Sequence, residues 1–209
     1  MNAAKFFAFK AIYPVLGILL LLMNQSVSNA ANLTEGKATD TGLRHWQWQN
    51  DHVLLRLTQR LPDQTRGYFL ARGFSETNAE RLAVNCTFQT TFKNIANNKG
   101  SAVDINMANW RIKVNGVEKK LIVKEQWQQQ WQKANVSDAA LIAFTWSMMP
   151  TTQTYHPGDY NWGMTTFGLK PGLEFDLSFN WYVNGKPEYG KINNIACPAD
   201  IHPETGNNL

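Results

Sequence analysis

Cys86 and Cys197 are the two cysteines of this 209-residue chain, and they stand more than a hundred positions apart. If they pair, the fold must bring an early segment against a late one, because a disulfide holds its two α-carbons within about 7 Å. The compartment decides whether they pair, and the first thirty residues decide the compartment. Lys5 and Lys10 give a basic start, an apolar run follows from Val15 to Met23, and Ser28-Asn29-Ala30 ends in small residues. That order is the order of a secretory signal peptide. The apolar run is shorter than the roughly 20 residues a spanning helix needs. No cysteine stands near the cleavage point to carry a lipid, and no twin arginine is present.

The expectation is therefore an exported protein, periplasmic or extracellular, with the pair oxidised. No C-x-x-C motif points to redox or metal work by thiols. Closing so long a loop contributes roughly 4–5 kcal/mol on the chain-entropy argument. The expected division is 1–30 cleavable signal peptide, 31–44 flexible N-terminal segment, 45–198 one domain and 199–209 disordered tail.

Cleavage also changes the charge. The whole chain carries +4, and loss of Lys5 and Lys10 with no acid leaves +2. A charge so small and dispersed argues against nucleic acid, which requires a clustered basic face. Once the signal is gone, no membrane segment is expected.

Periodicity then indicates the fold class. From Val84 to Phe92, residues Val84, Cys86, Phe88, Thr90 and Phe92 alternate with polar neighbours. This is the period of a half-buried strand with Cys86 on its inner face. Phe175, Leu177, Phe179 and Trp181 repeat the pattern. Asn115-Gly116 and Asn184-Gly185 are two-residue hairpin turns. A hairpin is also expected around Leu61-Pro62-Asp63-Gln64-Thr65, and strand character over Ala139 to Ser147. One helix is expected, from Lys124 to Lys133, with Trp127 and Trp131 on one face. Together these predict a mainly all-β chain, an antiparallel β-sandwich resembling immunoglobulin domains in general architecture only.

No catalytic residue is assigned, and the protein is expected not to be an enzyme. Motifs of zinc proteases, serine hydrolases, phosphate-binding loops and dinucleotide folds are all absent. His156 and Asp159 stand three apart, close enough for a base and its orienting carboxylate, but Pro157-Gly158 between them reads as a turn; an unrecognised hydrolase is the weakest alternative. Metal binding gives a sharper lead. Met148, Met149, His156 and Met164 would converge if the loop between them folds back, and thioethers with imidazole suit copper. One of Met148 and Met149 at most can serve on a strand, since neighbours face opposite sides. Met residues also fill irregular cores by default. His45 and His52 form a lesser pair, and His202 falls in the tail.

Aromatic content supplies the alternative function. Of eight tryptophans, most are expected in the core, with Trp162, beside Tyr160, the one expected on the surface. Exposed rings of this kind stack on sugars or partner surfaces. The reading is an exported accessory protein that binds copper, with a Trp-lined carbohydrate- or protein-binding module as the alternative. A protein partner, for instance a metalloenzyme in the same compartment, is expected.

Overall fold

The computed structural model describes residues 31–200, so the expected signal peptide and residues 201–209 lie outside the described residues. The N-terminal half contains β1 (Asn32–Lys37), β2 (Arg44–Gln49), β3 (Val53–Gln59), α1 (Pro62–Leu70), α2 (Glu76–Ala83), β4 (Thr87–Asn94), β5 (Val103–Asn106), β6 (Arg111–Val114) and β7 (Val117–Lys120). Then come α3 (Lys124–Lys133), α4 (Asp138–Ser147), β8 (Thr152–Tyr155), β9 (Tyr160–Thr166), β10 (Glu174–Val183) and β11 (Lys186–Ala196). A short 3-10 turn at Met107–Asn109 joins β5 to β6.

The chain is mainly β, as expected, in two antiparallel sheets. The five-stranded sheet runs β1-β2-β3-β4-β9. The six-stranded sheet is organised around β10, which pairs with β11 along one side and with β6 and then β5 along the other. β7 extends β6, and β8 extends β5. Both Asn-Gly pairs turn their hairpins with positive φ at each residue, 49° and 81° at Asn115-Gly116 and 51° and 74° at Asn184-Gly185. This is the twist-compatible geometry that only Asn and Gly adopt at little cost.

One apolar core is shared by the two sheets. Trp48 of β2 meets Phe179 and Trp181 of β10 at ring-centroid distances of 5.1 and 5.3 Å. Phe88 of β4 approaches Phe175 at 6.2 Å. The Cys86–Cys197 disulfide forms across the same core, with α-carbons 5.2 Å apart. Cys86 is buried as expected, but it sits one residue ahead of β4 in a left-handed turn with φ of 52°. Beside it, Gln59 accepts from Arg44 N at 3.1 Å and donates to Ala196 O at 2.9 Å, so one amide ties β2 to the end of β11.

The helices correct the sequence reading in three places. Pro62-Asp63 opens α1 instead of turning a hairpin, because proline at the first helical position gives up an amide that has no partner there anyway. Ser75 caps α2 through a hydrogen bond from Asn78 N at 3.3 Å, where the sequence suggests a loop or a single helical turn. Ala139 to Ser147, expected as a strand, lies in α4, capped by Ser137 Oγ accepting from Ala140 N at 3.4 Å. α3 forms where expected, with Trp127 and Trp131 stacked at 5.0 Å. The polar stretch expected to be loose, 31–44, contains β1, paired along its full length with β2.

The four helices build a second apolar cluster from Phe69, Phe74, Leu82, Trp131, Phe144 and neighbours. It rests on the outer surface of the five-stranded sheet at the Met164 end of β9. Trp127 Nε1 donates to Thr166 Oγ1 at 2.8 Å, fastening α3 to that strand. No helix among the described residues is long and apolar enough to cross a membrane.

Candidate functional site

The sites suggested by the sequence fall in different layers. Met148 ends α4 and runs parallel to β9, bridged to Met164, with Met149 N donating to Met164 O at 2.9 Å. Gly163 permits this approach: a β-carbon there would stand 2.7 Å from Met149 N. Met148 and Met164 belong to the helical cluster, whereas Met149 belongs to the inter-sheet core. The two neighbours thus do face opposite ways. All three, with Met107, line a small cavity of about 10 Å³.

His156 lies elsewhere, at the turn between β8 and β9. Its amide donates to Asp159 Oδ2 at 2.9 Å, and Asp159 N donates back to His156 O at 2.9 Å. The pair is closed through the main chain of His156, and its imidazole is exposed. Roughly 13 Å of extended strand separates Tyr160, where β9 begins, from Met164. His45 and His52 are not together either. His45 stands on β2 opposite Thr58, whereas His52 is in the β2–β3 turn, 3.6 Å from Glu188. Burial, with Arg56 nearby, lowers the His45 pKa. Among the described residues no three His, Cys, Asp or Glu side chains cluster as metal ligands would.

The aromatic lead gathers more around itself. Six tryptophans are buried, and Trp162 is 66% exposed, with Tyr160 beside it on β9 at 59%. Trp146 is exposed as well, at 84%, at the end of α4. Strand alternation gives the reason for Tyr160 and Trp162: both share the face of Met164, the outer face of the five-stranded sheet, but lie beyond the reach of the helices.

Register extends this surface across the sheet. Trp162 pairs with Thr91, Thr91 with Arg56 and Arg56 with Gln47, giving one row across four strands. Three strand spacings make that row roughly 14 Å long. The next row runs Tyr160, Lys93, Leu54 and Gln49. Gln47 Nε2 donates to Gln49 Oε1 at 3.2 Å and links the two rows.

On the other side, the row containing Thr58 and Gln89 descends into a groove of about 570 Å³ under α1. Tyr68 of α1 forms its wall. The Tyr68 hydroxyl and Ser147 Oγ are 2.7 Å apart, and Ser147 Oγ donates to Ala143 O at 2.6 Å, so the phenol is the donor and its ring is fixed. The Arg60 guanidinium lies 4.8 Å from the Tyr68 ring centre and that of Arg72 lies 3.3 Å from it, both within cation–π range.

Nothing local in the sequence announces the groove. Arg60, Tyr68 and Gln89 come from three separate segments, and α1 occupies a stretch expected to turn a hairpin.

No protein-family profile matches the chain, and no curated protein matches it. Among solved structures, one similar chain is a Bacillus subtilis protein described as a candidate lipoprotein, YcdA. It has 9% identity and a TM-score of 0.32, over 79% of this chain and 35% of that one. The present chain therefore spans about a third of that relative's length.

Proposed function

We propose that this is an exported, non-enzymatic binding protein of the periplasm or extracellular space, and that it holds a carbohydrate on the outer face of its five-stranded sheet. The observation that carries the reading is the row Trp162, Thr91, Arg56, Gln47. One exposed ring is followed, on a flat and rigid support, by a hydroxyl, a guanidinium and an amide. A sugar offers an apolar ring face for stacking and hydroxyls for such polar groups, and rigid strands hold these groups more firmly than loops do. The scaffold reads as a β-sandwich with a general immunoglobulin-like character. The facing pairs Trp48–Phe179 and Phe88–Phe175 and the inter-sheet disulfide support that reading.

A glycan screen on the mature protein, followed by Trp162→Ala, tests the function. Loss of the exposed ring is expected to cost about 2 kcal/mol or more of binding. If no glycan is retained, or if Trp162→Ala binds as well as the parent, the reading is lost.

A second reading, copper handling through Met148, Met149, His156 and Met164, is favoured by one observation. Met107, Met148, Met149 and Met164 surround the same small cavity, and thioethers are soft ligands for Cu(I). Under this reading, Cu(I) binds more tightly than micromolar in competition with a chelator. Met148→Leu with Met164→Leu, which conserves volume, then abolishes binding while His156→Ala has a smaller effect. Weak binding by the parent protein would end it.

A further inference from the structure

The carbohydrate reading leaves open which sugars the face accepts, and the distribution of charge narrows the choice. Strands β2, β3, β4 and β9 contain no aspartate or glutamate, yet they carry Arg44, Arg56 and Lys93. Of the two arginines, Arg44 lies on the Trp46 side of β2, where Glu35 of β1 engages it at 3.5 Å, and Arg56 stands in the Trp162 row on the outer face. The six-stranded sheet mixes both signs: Lys191 meets Asp176 at 3.4 Å and Arg111 meets Glu118 at 3.7 Å. The outer face of β2, β3, β4 and β9 thus presents Arg56 and Lys93 with no carboxylate from its own strands.

The groove under α1 continues that charge. Arg60 follows Arg56 and Thr58 on the same side of the chain, four residues and roughly 13 Å along. Its Nη2 donates to Gln64 O at 3.2 Å, and no carboxylate pairs with it among the described residues. Burial lowers its pKa, with Arg72 adding repulsion. Asp63 also lines the groove, but Arg66 Nη1 engages it at 2.7 Å. Two buried donors, Arg60 Nε and Gln89 Nε2, have no acceptor among the described residues. Both residues line the groove, and buried donors left unpaired are costly. A site with surplus cation, surplus N–H groups and a fixed aromatic wall complements an anion attached to a ring.

We propose that this face selects acidic saccharides: a sugar chain bearing carboxylate, sulfate or phosphate groups lies over Trp162 and Arg56 and places one anionic group in the groove beside Arg60. The proposal rests on the carbohydrate reading, and the test separates the two.

The mature protein is titrated calorimetrically with oligogalacturonate, dextran sulfate, a neutral cello-oligosaccharide and inorganic phosphate. Expected is binding of one or both polyanions at least tenfold tighter than the neutral chain, weakening as salt rises. Arg60→Gln is expected to weaken polyanion binding by about tenfold, the loss of one charge-assisted contact, and to leave neutral-chain binding unchanged. Arg60→Lys recovers part of the loss. Trp162→Ala weakens both kinds of ligand. Thermal midpoints verify folding, and Arg56→Gln on the open strand face serves as the second variant if Arg60→Gln does not fold.

Equal affinity for the neutral chain overturns the acidic selection and leaves the carbohydrate reading standing. No binding of any saccharide overturns both. Phosphate binding as tightly as the polyanions reduces the groove to a simple anion site and overturns the proposal. Binding to anionic lipid vesicles in preference to the saccharides overturns it as well.

Discussion

Removing the Cys86–Cys197 bridge, by Cys86→Ala with Cys197→Ala, is expected to lower stability by roughly 4 kcal/mol. The bond closes a loop with a sequence separation of 111 residues, so its loss restores a large amount of freedom to the unfolded chain. That freedom costs little in the folded state, where the same junction is held in other ways. Gln59 reaches Ala196 O at 2.9 Å, and Cys197 N donates to Leu173 O at 2.8 Å. The variant should therefore fold to the same structure and melt earlier, by on the order of 10 °C for a domain of this size. Thermal unfolding with and without reductant checks it. Reductant should lower the parent's midpoint to that of the double variant and leave the variant's unchanged. A shift of only a degree or two would mean that the unfolded chain is already compact enough for the bridge to constrain nothing.

Trp131→Ala is expected to cost about 3–5 kcal/mol, the usual range for emptying a buried aromatic site. Trp131 is fully buried and touches Trp127, Phe74 and Phe144 at centroid distances of 5.0, 5.4 and 6.0 Å. These rings join α3 to α4 and to the segment after α1, so the helices lose their common anchor together. The inter-sheet core is a separate cluster and loses no direct contact. Amide hydrogen exchange is the measurement. Protection should fall in α1 to α4 while β3, β4 and β10 keep theirs. Equal loss in both regions would show that the helices and sheets open as one cooperative unit. The loss should also reach the groove, because Tyr68 is fixed to α4 through Ser147 and depends on the helices keeping their places.

The β half of the fold was legible because its signals are local. Alternation around Phe88 and Phe92 and along Phe175 to Trp181 depends only on which face meets the core, and each Asn-Gly pair dictates its own turn. α3 was equally readable, from two tryptophans four residues apart. α4 was not, because its sequence, Asp138 to Ser147, is apolar on most sides. A continuous apolar run lacks the period that separates helix from strand. The clue was Ser137-Asp138, a cap and an acidic first turn. Pro62-Asp63 misled for a related reason: proline followed by aspartate opens helices and turns alike, and what comes afterwards decides between them.

The candidate face was readable only at one corner. Trp162 could be identified as exposed, since it stands beside Tyr160 and Asn161 in a stretch that reads as irregular after Pro157-Gly158. The remainder of the row depends on strand register, which joins Gln47, Arg56, Thr91 and Trp162 from four separate segments. Nothing local to any of them announces the others. The groove is still less legible, since it needs α1 to lie over the sheet and the sheet to present Gln89 beneath it.

Gly163 bears on a matter far from ligands. By letting the Met148-Met149 backbone lie against β9, and with Ile122 bridged to Thr166 nearby, it closes the Met164–Thr166 end of one margin of the five-stranded sheet. The opposite margin, β1, pairs among the described residues with β2 alone. Assembly by strand addition needs a free margin on each side to continue indefinitely. A side chain at position 163 would push the Met148-Met149 backbone off β9 and reopen that end of the margin to strand pairing.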